Sequence, residues 1–273
     1  MNLPRPLRKL INPRETAVLK KDFREIWNSA GVRALLILLP LVFAGVIPIV
    51  FIVLSNLLPA QSFAGMDQLR ALLGEAQSGM NDRQALFYLF SDCLGPMFFL
   101  LIPLLVSCIA AATSFLGERQ HGTMETLFLT PLTTREIFKA KVIGCLVLSV
   151  LATLIAFLLF TVIMIVGDIQ LGVTFFLANA SWWVLLLLVA PGLILFGVLF
   201  MVVLNAHGTG VGESMQICGY VALPFILLFV AQFSGLFRLQ SGAYLAIAAV
   251  IWVIDLFLWR SAARHFTTER LLR

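Results

Sequence analysis

The chain has 273 residues, of which 60% are hydrophobic and only 12% charged, with a mean hydropathy of +1.00 and a formal net charge of +5. Ordinary globular domains are about 45–50% apolar and about 25% charged, so the apolar excess is more than a soluble core can bury. The composition therefore excludes a soluble globular domain and predicts an all-α integral membrane protein, since about 20 apolar helical residues cross a bilayer.

The first predicted element is an amphipathic interface helix over residues 12–31. Asn12 caps it, Pro13 takes the first helical position and Glu15 follows three residues after the cap. Apolar side chains then recur at three- and four-residue steps, with charged residues on the opposite face: Leu19, Phe23, Ile26 and Trp27. A basic helix of this kind lies in the plane of the inner membrane interface. The alternative is a soluble amphipathic helix packed on a partner.

Apolar runs predict six membrane spans, at residues 34–58, 96–116, 142–166, 182–204, 217–236 and 243–259. The break between the third and fourth spans is inferred from turn-forming and interfacial residues: Gly167, Asp168, Gly172, Asn179, Trp182 and Trp183. Prolines inside the spans predict kinks: Pro40, Pro48, Pro103, Pro191 and Pro224. Residues 59–85 form the first external loop.

The distribution of basic residues predicts the orientation. Of the 19 Lys and Arg residues, 16 lie on the side that holds the N-terminal segment, the loop 117–141 and the tail 260–273. Because Lys and Arg accumulate on the cytoplasmic side, both termini and this loop are expected in the cytoplasm. The first apolar run starts too late and is too long for a cleavable signal peptide. We expect an integral protein of a bacterial plasma membrane.

Residues that could carry chemistry are few. The cysteines lie in or beside predicted spans without metal-ligand spacing and are interpreted as small buried apolar residues: Cys93, Cys108, Cys145 and Cys218. The Gly-rich stretch HGTGVGES at 207–214 has no Lys followed by Ser or Thr and therefore is not a P-loop. The sequence predicts no catalytic residue, no metal site and no cofactor on this chain, and no nucleic acid partner.

Two acidic residues qualify as charges within the membrane, Asp92 and Asp255. Charged groups in lipid are costly and often mark a transport path, so both are candidate transport-path residues. Each lies near a predicted span end that water can reach. The alternative is that they are solvated at helix ends or form an interhelical hydrogen bond.

The loop 117–141 reads GERQHGTMETLFLTPLTTREIFKAK and is the most polar segment between spans. Its centre predicts a short helix that ends before Pro131 and presents Met124, Leu127 and Phe128 on one side, with Glu125 beside them. Thr133 followed by Glu136 is a capping box that opens a new helix into the third span. Such a helix is continuous with two spans, so a soluble protein that binds it can move the membrane helices.

This loop resembles that of ABC transporter permeases of the type-2 exporter class, which includes sodium-export-like and drug- or peptide-export-like permeases. The resemblance rests on Glu118, Arg119, Gly122, Thr123, Met124, Glu125, Leu127, Thr130, Pro131, Leu132, Glu136, Ile137 and Lys141. It implies six transmembrane helices, an N-terminal interface helix, a cytoplasmic coupling helix between helices 2 and 3, and separate ATPase subunits that bind ATP and Mg. The residues expected to contact the ATPase are Glu118, Gly122, Thr123, Met124, Glu125, Leu127, Phe128 and Pro131.

Beyond the ATPase, the expected partners are membrane lipid and a second permease, which is either a copy of this chain or a related one. Two other classes of function stay open. An ion-coupled carrier or channel without an ATPase predicts functional polar residues inside the spans, and few are present. A membrane enzyme predicts clustered nucleophiles, acids or metal ligands, and the sequence shows none. The substrate is not readable from the sequence.

Overall fold

The structure is a computed structural model that describes residues 21, 23, 24, 26–57, 80–120, 134–174, 176, 179–205, 211–233 and 241–265. These residues form helices and short connections, with no strand among them, which confirms the predicted all-α class. We number the long helices α1 (Ala30–Leu57), α2 (82–120), α3 (Thr134–Leu171), α4 (180–205), α5 (Val211–Phe233) and α6 (Ser241–His265).

Five of these helices, α1, α2, α3, α4 and α6, are long and apolar enough to cross a membrane. The apolar part of α5 described by the structure is shorter and covers Gln216–Leu228. This helix overlaps the predicted span 217–236. Membrane crossing by α5, and with it the six-span topology, stays a prediction.

Within the described residues, three helices contain a wider π-helical stretch: Leu41–Val46 in α1, Leu89–Leu94 in α2 and Leu185–Val189 in α4. Each stretch ends two residues before a proline: Pro48, Pro96 and Pro191. In an α-helix the proline ring clashes with the carbonyl four residues back. The wider turn moves this carbonyl aside, so each helix continues through its proline.

The start of α2 differs from the prediction for this reason. The second span was expected to begin at Pro96, but α2 begins at Asp82, so residues 82–85 of the predicted external loop are also helical. The N–H of Gly95 donates to the carbonyl of Phe90, five residues back. In the same pattern the carbonyl of Ser91 would accept from residue 96, but Pro96 has no N–H. The indole Nε1 of Trp182 in α4 donates to this carbonyl at 3.1 Å. A side chain of α4 thus replaces the missing backbone donor.

The boundary between α3 and α4 follows part of the predicted pattern. α3 continues through Gly167 and Asp168 and ends at Leu171. Gly172 has a positive φ of 65°, and the next N–H, that of Val173, bonds back to the carbonyl of Asp168 at 2.9 Å, a common way for helices to end. Asn179 caps α4 by accepting the N–H of Ser181 at 2.9 Å. Turn chemistry, not loss of hydrophobicity, therefore sets these ends.

α2 is the central helix and is almost entirely buried. It packs most extensively on α4, and also on α3, α5 and α1, while α6 packs on α4. α2 and α4 lie close together at Gly197, where a Cβ atom would overlap with Ser107 Oγ and lie 3.2 Å from both Cys108 Sγ and the carbonyl of Leu104. α1, α3 and α6 carry many exposed large apolar side chains.

Candidate functional site

The predicted ATPase-coupling segment lies almost wholly outside the described residues. Glu118 falls in the helix Gly95–Gln120, although its side chain is not described. The other expected coupling residues lie in 121–133, outside the described ranges: Gly122, Thr123, Met124, Glu125, Leu127, Phe128 and Pro131. Their roles, and the coupling helix itself, stay predictions.

The helices that flank this segment extend beyond the predicted spans. α2 continues to Gln120, and α3 begins at Thr134, as the capping box of Thr133 and Glu136 predicts. The bounds 117–141 of the cytoplasmic loop stay a prediction. Polar composition marks where a helix leaves the lipid, whereas backbone hydrogen bonding decides where it ends. α3 then runs without interruption to Leu171. The undescribed segment is therefore joined directly to two long helices.

The ends of α2 and α3 that flank the segment are joined by a buried lysine. Lys141 is 1% exposed, and its Nζ donates to the backbone carbonyl of Ser114 at 2.6 Å and lies 3.5 Å from the Ser114 hydroxyl. The same Nζ lies 5.5 Å from the ring centroid of Phe115, within the range of a cation–π interaction. The Lys141 side chain of α3 therefore contacts α2 at two points, a main-chain carbonyl and the face of an aromatic ring.

Apolar and sulfur contacts surround this lysine. The rings of Phe115 and Phe138 lie 6.3 Å apart. One turn further along α3, the thiol of Cys145 contacts the carbonyl of Ala110 at 3.5 Å. Ile137 is buried as well. α2 and α3 are therefore packed side by side as far as Phe115 and Phe138.

Sequence reasoning missed the position of Lys141 and counted it among the cations of a cytoplasmic loop. The signal was its spacing, because Lys141 lies four residues after Ile137 and four before Cys145, on the same helix face. Lys139, two residues earlier, is exposed. Lys141 differs from Lys139 in sequence because it lies within an otherwise apolar stripe of the helix.

The predicted interface helix is described in part. Residues 21, 23, 24 and 26–28 are helical, and Ser29 is extended, so this helix ends before the predicted limit of 31 and α1 starts at Ala30 rather than at 34. Ile26 is buried, whereas Phe23 and Trp27 are exposed and stack on each other with ring centroids 6.0 Å apart. Leu19 lies outside the described residues. The interface role of this helix stays a prediction.

Asp92 belongs to a polar network where α2, α3 and α4 meet the predicted external loops. Its carboxylate accepts hydrogen bonds from the Asn179 amide and, at 3.2 Å, from the Tyr88 hydroxyl. Nearby, the Gln84 amide donates to the carbonyl of Leu171 at 3.1 Å. The alternative interpretation of Asp92, an interhelical hydrogen bond, agrees with this geometry, since Asn179 caps α4.

Asp255 does not join this network. It lies on the stripe of α6 that is buried, together with Ile251 and Ala262, and is itself 1% exposed. Among the described residues, neither carboxylate oxygen has a hydrogen-bond partner. The expectation that water reaches Asp255 is wrong for this chain taken alone. The two acidic candidates therefore occupy different surroundings on different helices.

The described cysteines agree with their interpretation as buried residues. Cys108, Cys145 and Cys218 are free and buried, and the side chain of Cys93 is not described. Cys218 Sγ lies 3.5 Å from Met201 Sδ, where α5 meets α4. No group of three or more His, Cys, Asp or Glu residues that could hold a metal ion occurs in the described part of the chain.

These features define a polytopic α-helical membrane protein in which two long, paired helices flank a polar connecting segment. The family model of ABC-2 family transporter proteins matches residues 16–271, nearly the whole chain. The chain belongs to this family and is a permease of an ABC transporter, as the resemblance in the loop predicted. No curated protein and no solved structure matches it.

Proposed function

We propose that this permease is the transmembrane subunit of an ATP-driven exporter. Six transmembrane helices form the translocation path in a dimer with a second copy or a related permease. Separate ATPase subunits bind ATP and Mg²⁺ and dock on residues 118–131. Both termini and this docking segment lie in the cytoplasm of a bacterial cell, and the helix around Phe23 and Trp27 lies in the inner interface.

The observation that best supports this proposal is that α2 and α3, the helices before and after the segment, pack against each other. A soluble ATPase can move membrane helices only through a contact that transmits displacement. Lys141 and the packed Phe115 and Phe138 rings hold the two helices together next to that contact. Membership of the ABC-2 transporter family supports an ABC ATPase as this partner.

The experiment tests whether the apolar residues of the segment bind the ATPase. Leu127→Asp or Phe128→Asp places a charge where buried apolar anchors are expected, and truncating such anchors commonly costs over about 1 kcal/mol. The permease and its ATPase are coexpressed and purified through a tag on the permease. The Asp variants are expected to express normally but to lose the co-eluting ATPase and its permease-stimulated ATP hydrolysis.

Two controls accompany these variants. Leu127→Met keeps an apolar side chain of similar volume and should retain the ATPase, and Gln77→Ala in the predicted outer loop should do the same. Normal ATPase binding and stimulated hydrolysis in the Asp variants would contradict the proposed docking site.

The second candidate function is an ion-coupled carrier, and one observation favours it: Asp255 is a buried carboxyl without a hydrogen-bond partner among the described residues. Ionisable groups inside a membrane are often part of an ion path. This function predicts that wild-type transport persists without ATP and stops with an ionophore. The exporter predicts the opposite dependence.

A further inference from the structure

Lys141 is buried although its place in the helix does not require it. Lysines are almost never fully buried unless they are paired. Lys141 lies about 10 Å along α3 from Thr134, at 1.5 Å per residue, so its long side chain could extend towards the aqueous end of the helix. Lys139 is exposed in this way, whereas Lys141 turns onto α2. Its burial is therefore a specific contact.

The chemistry of the contact fixes one helix to the other. One acceptor of the Lys141 ammonium group is a backbone carbonyl, that of Ser114, at 2.6 Å. A main-chain acceptor inside a helix moves only with the helix, whereas a side-chain acceptor could follow the lysine by changing rotamer. The Phe115 ring, 5.5 Å from Nζ, adds a second point of attachment on the next residue of α2. Hydrogen bonds to charged groups are also stronger than neutral ones.

We infer that Lys141 is a positioning residue that makes the ends of α2 and α3 move as one body when residues 118–131 are displaced. Coupling between distant sites is carried by hydrogen-bonded and rigid elements. If the two helices could slide past each other, a displacement of the connecting segment would be lost in relative movement instead of reaching the rest of the bundle. This role rests on the proposed function, but the pairing of the helices does not.

The pairing is tested first, without an ATPase. Spin labels are attached through Gln120→Cys and Arg135→Cys in a background without native cysteines, and the distance distribution is measured in nanodiscs. Lys141→Met removes the ammonium group and keeps an aliphatic side chain, so the distribution should broaden. Lys139→Met, the same change at an exposed lysine, should leave it narrow. An equally narrow distribution in Lys141→Met would overturn the inference.

Coupling is tested in the complex with the ATPase. Lys141→Met should still co-purify the ATPase but reduce permease-stimulated ATP hydrolysis. Loss of one charge-assisted hydrogen bond should shift the equilibrium between paired and separated helices roughly tenfold towards separation. Lys139→Met should leave both the co-purification of the ATPase and the stimulated hydrolysis unchanged. Co-purification with unchanged stimulation in Lys141→Met would count against the role.

A covalent replacement separates the mechanical role from a merely structural one. Ser114→Cys combined with Lys141→Cys in the cysteine-free background allows the two positions to be bridged by a short bifunctional methanethiosulfonate reagent. Bridging should restore stimulated hydrolysis. Reducing the bridge should abolish stimulated hydrolysis again in the same folded sample. This comparison stays valid even if Lys141→Met folds poorly. Failure of the bridge to restore hydrolysis would refute the inference. If the wild-type chain binds no ATPase, the proposed function fails, while the spin-label distances still decide whether Lys141 pairs the helices.

Discussion

Replacing Gly197 by alanine should force α2 and α4 apart where Gly197 packs on Ser107. The added methyl group would overlap with Ser107 Oγ and lie 3.2 Å from both Cys108 Sγ and the carbonyl of Leu104. The Leu104 carbonyl is part of the backbone of a buried helix, so it can yield only if the helix shifts. Overpacking of this kind typically costs about 1–3 kcal/mol.

Gly219→Ala is the matched control, because no atom lies within 4 Å of the Cβ position at Gly219. Both substitutions change glycine to alanine inside a helix, so their effects on backbone entropy cancel in the comparison. The free energy of unfolding of Gly197→Ala should therefore be about 1–3 kcal/mol lower than that of Gly219→Ala. The measurement is unfolding in mixed dodecyl sulfate micelles, followed by circular dichroism.

A second substitution tests the cause. The Ser107 hydroxyl donates to the carbonyl of Leu104 in its own helix at 2.8 Å, so Ser107→Ala leaves no group on α4 without a partner. It removes the atom that obstructs the new methyl group, and the double variant should regain a large part of the loss, with a coupling energy of about 0.5–3 kcal/mol. Equal stability of Gly197→Ala and Gly219→Ala, or no compensation by Ser107→Ala, would show that the close approach is wrong.

Other predictions concern the topology and two buried polar groups. In a background without native cysteines, a thiol-specific impermeant maleimide should label Asn81→Cys in intact cells and His121→Cys only after lysis; the reverse pattern would refute the orientation. Asp255→Val removes a buried carboxyl that has no hydrogen-bond partner among the described residues, so thermal stability should rise, and loss of transport at raised stability would assign Asp255 a role in transport. Trp182→Phe removes the donor to Ser91 and should cost about 1–3 kcal/mol, and Pro96→Ala, which restores a backbone N–H, should compensate when both proteins are compared by the same unfolding assay.

The fold class was predictable because lipid leaves few alternatives. A chain with long apolar runs must satisfy its backbone hydrogen bonds internally, which in these runs means helices. The family was predictable from the polar loop. Residues in the spans must be apolar in any membrane helix, whereas residues in this loop are free to form a specific motif. The helix ends were not, because Gly95 and Pro96 look like a break, whereas the π-helical stretch and Trp182 allow α2 to continue.

The packing inside the bundle was also beyond the sequence. In a soluble helix the apolar face marks the core, but in lipid both faces are apolar. In α3, Ile155 is 66% exposed and Phe160 is fully buried, although both are large apolar residues. Lys141 was misplaced for a related reason, since a cation close to a helix end is ordinarily assigned to water. Only the position of α2 beside it explains its burial.

The burial of Trp182, whose indole donates to the carbonyl of Ser91 in α2, has a practical consequence for optical experiments on the whole protein. Of the five tryptophans, Trp182 is 2% exposed, whereas the others are 41–52% exposed: Trp27, Trp183, Trp252 and Trp259. Bromine atoms on lipid chains quench indoles that they can touch, so brominated lipids should silence these four and leave the emission of Trp182. The remaining emission would come from a single residue of α4 that contacts α2 and lies 4.8 Å from Phe160 and 5.1 Å from Phe176, measured between ring centroids. Its emission wavelength would report, without any attached dye, whether water enters between α2 and α4 during a transport cycle.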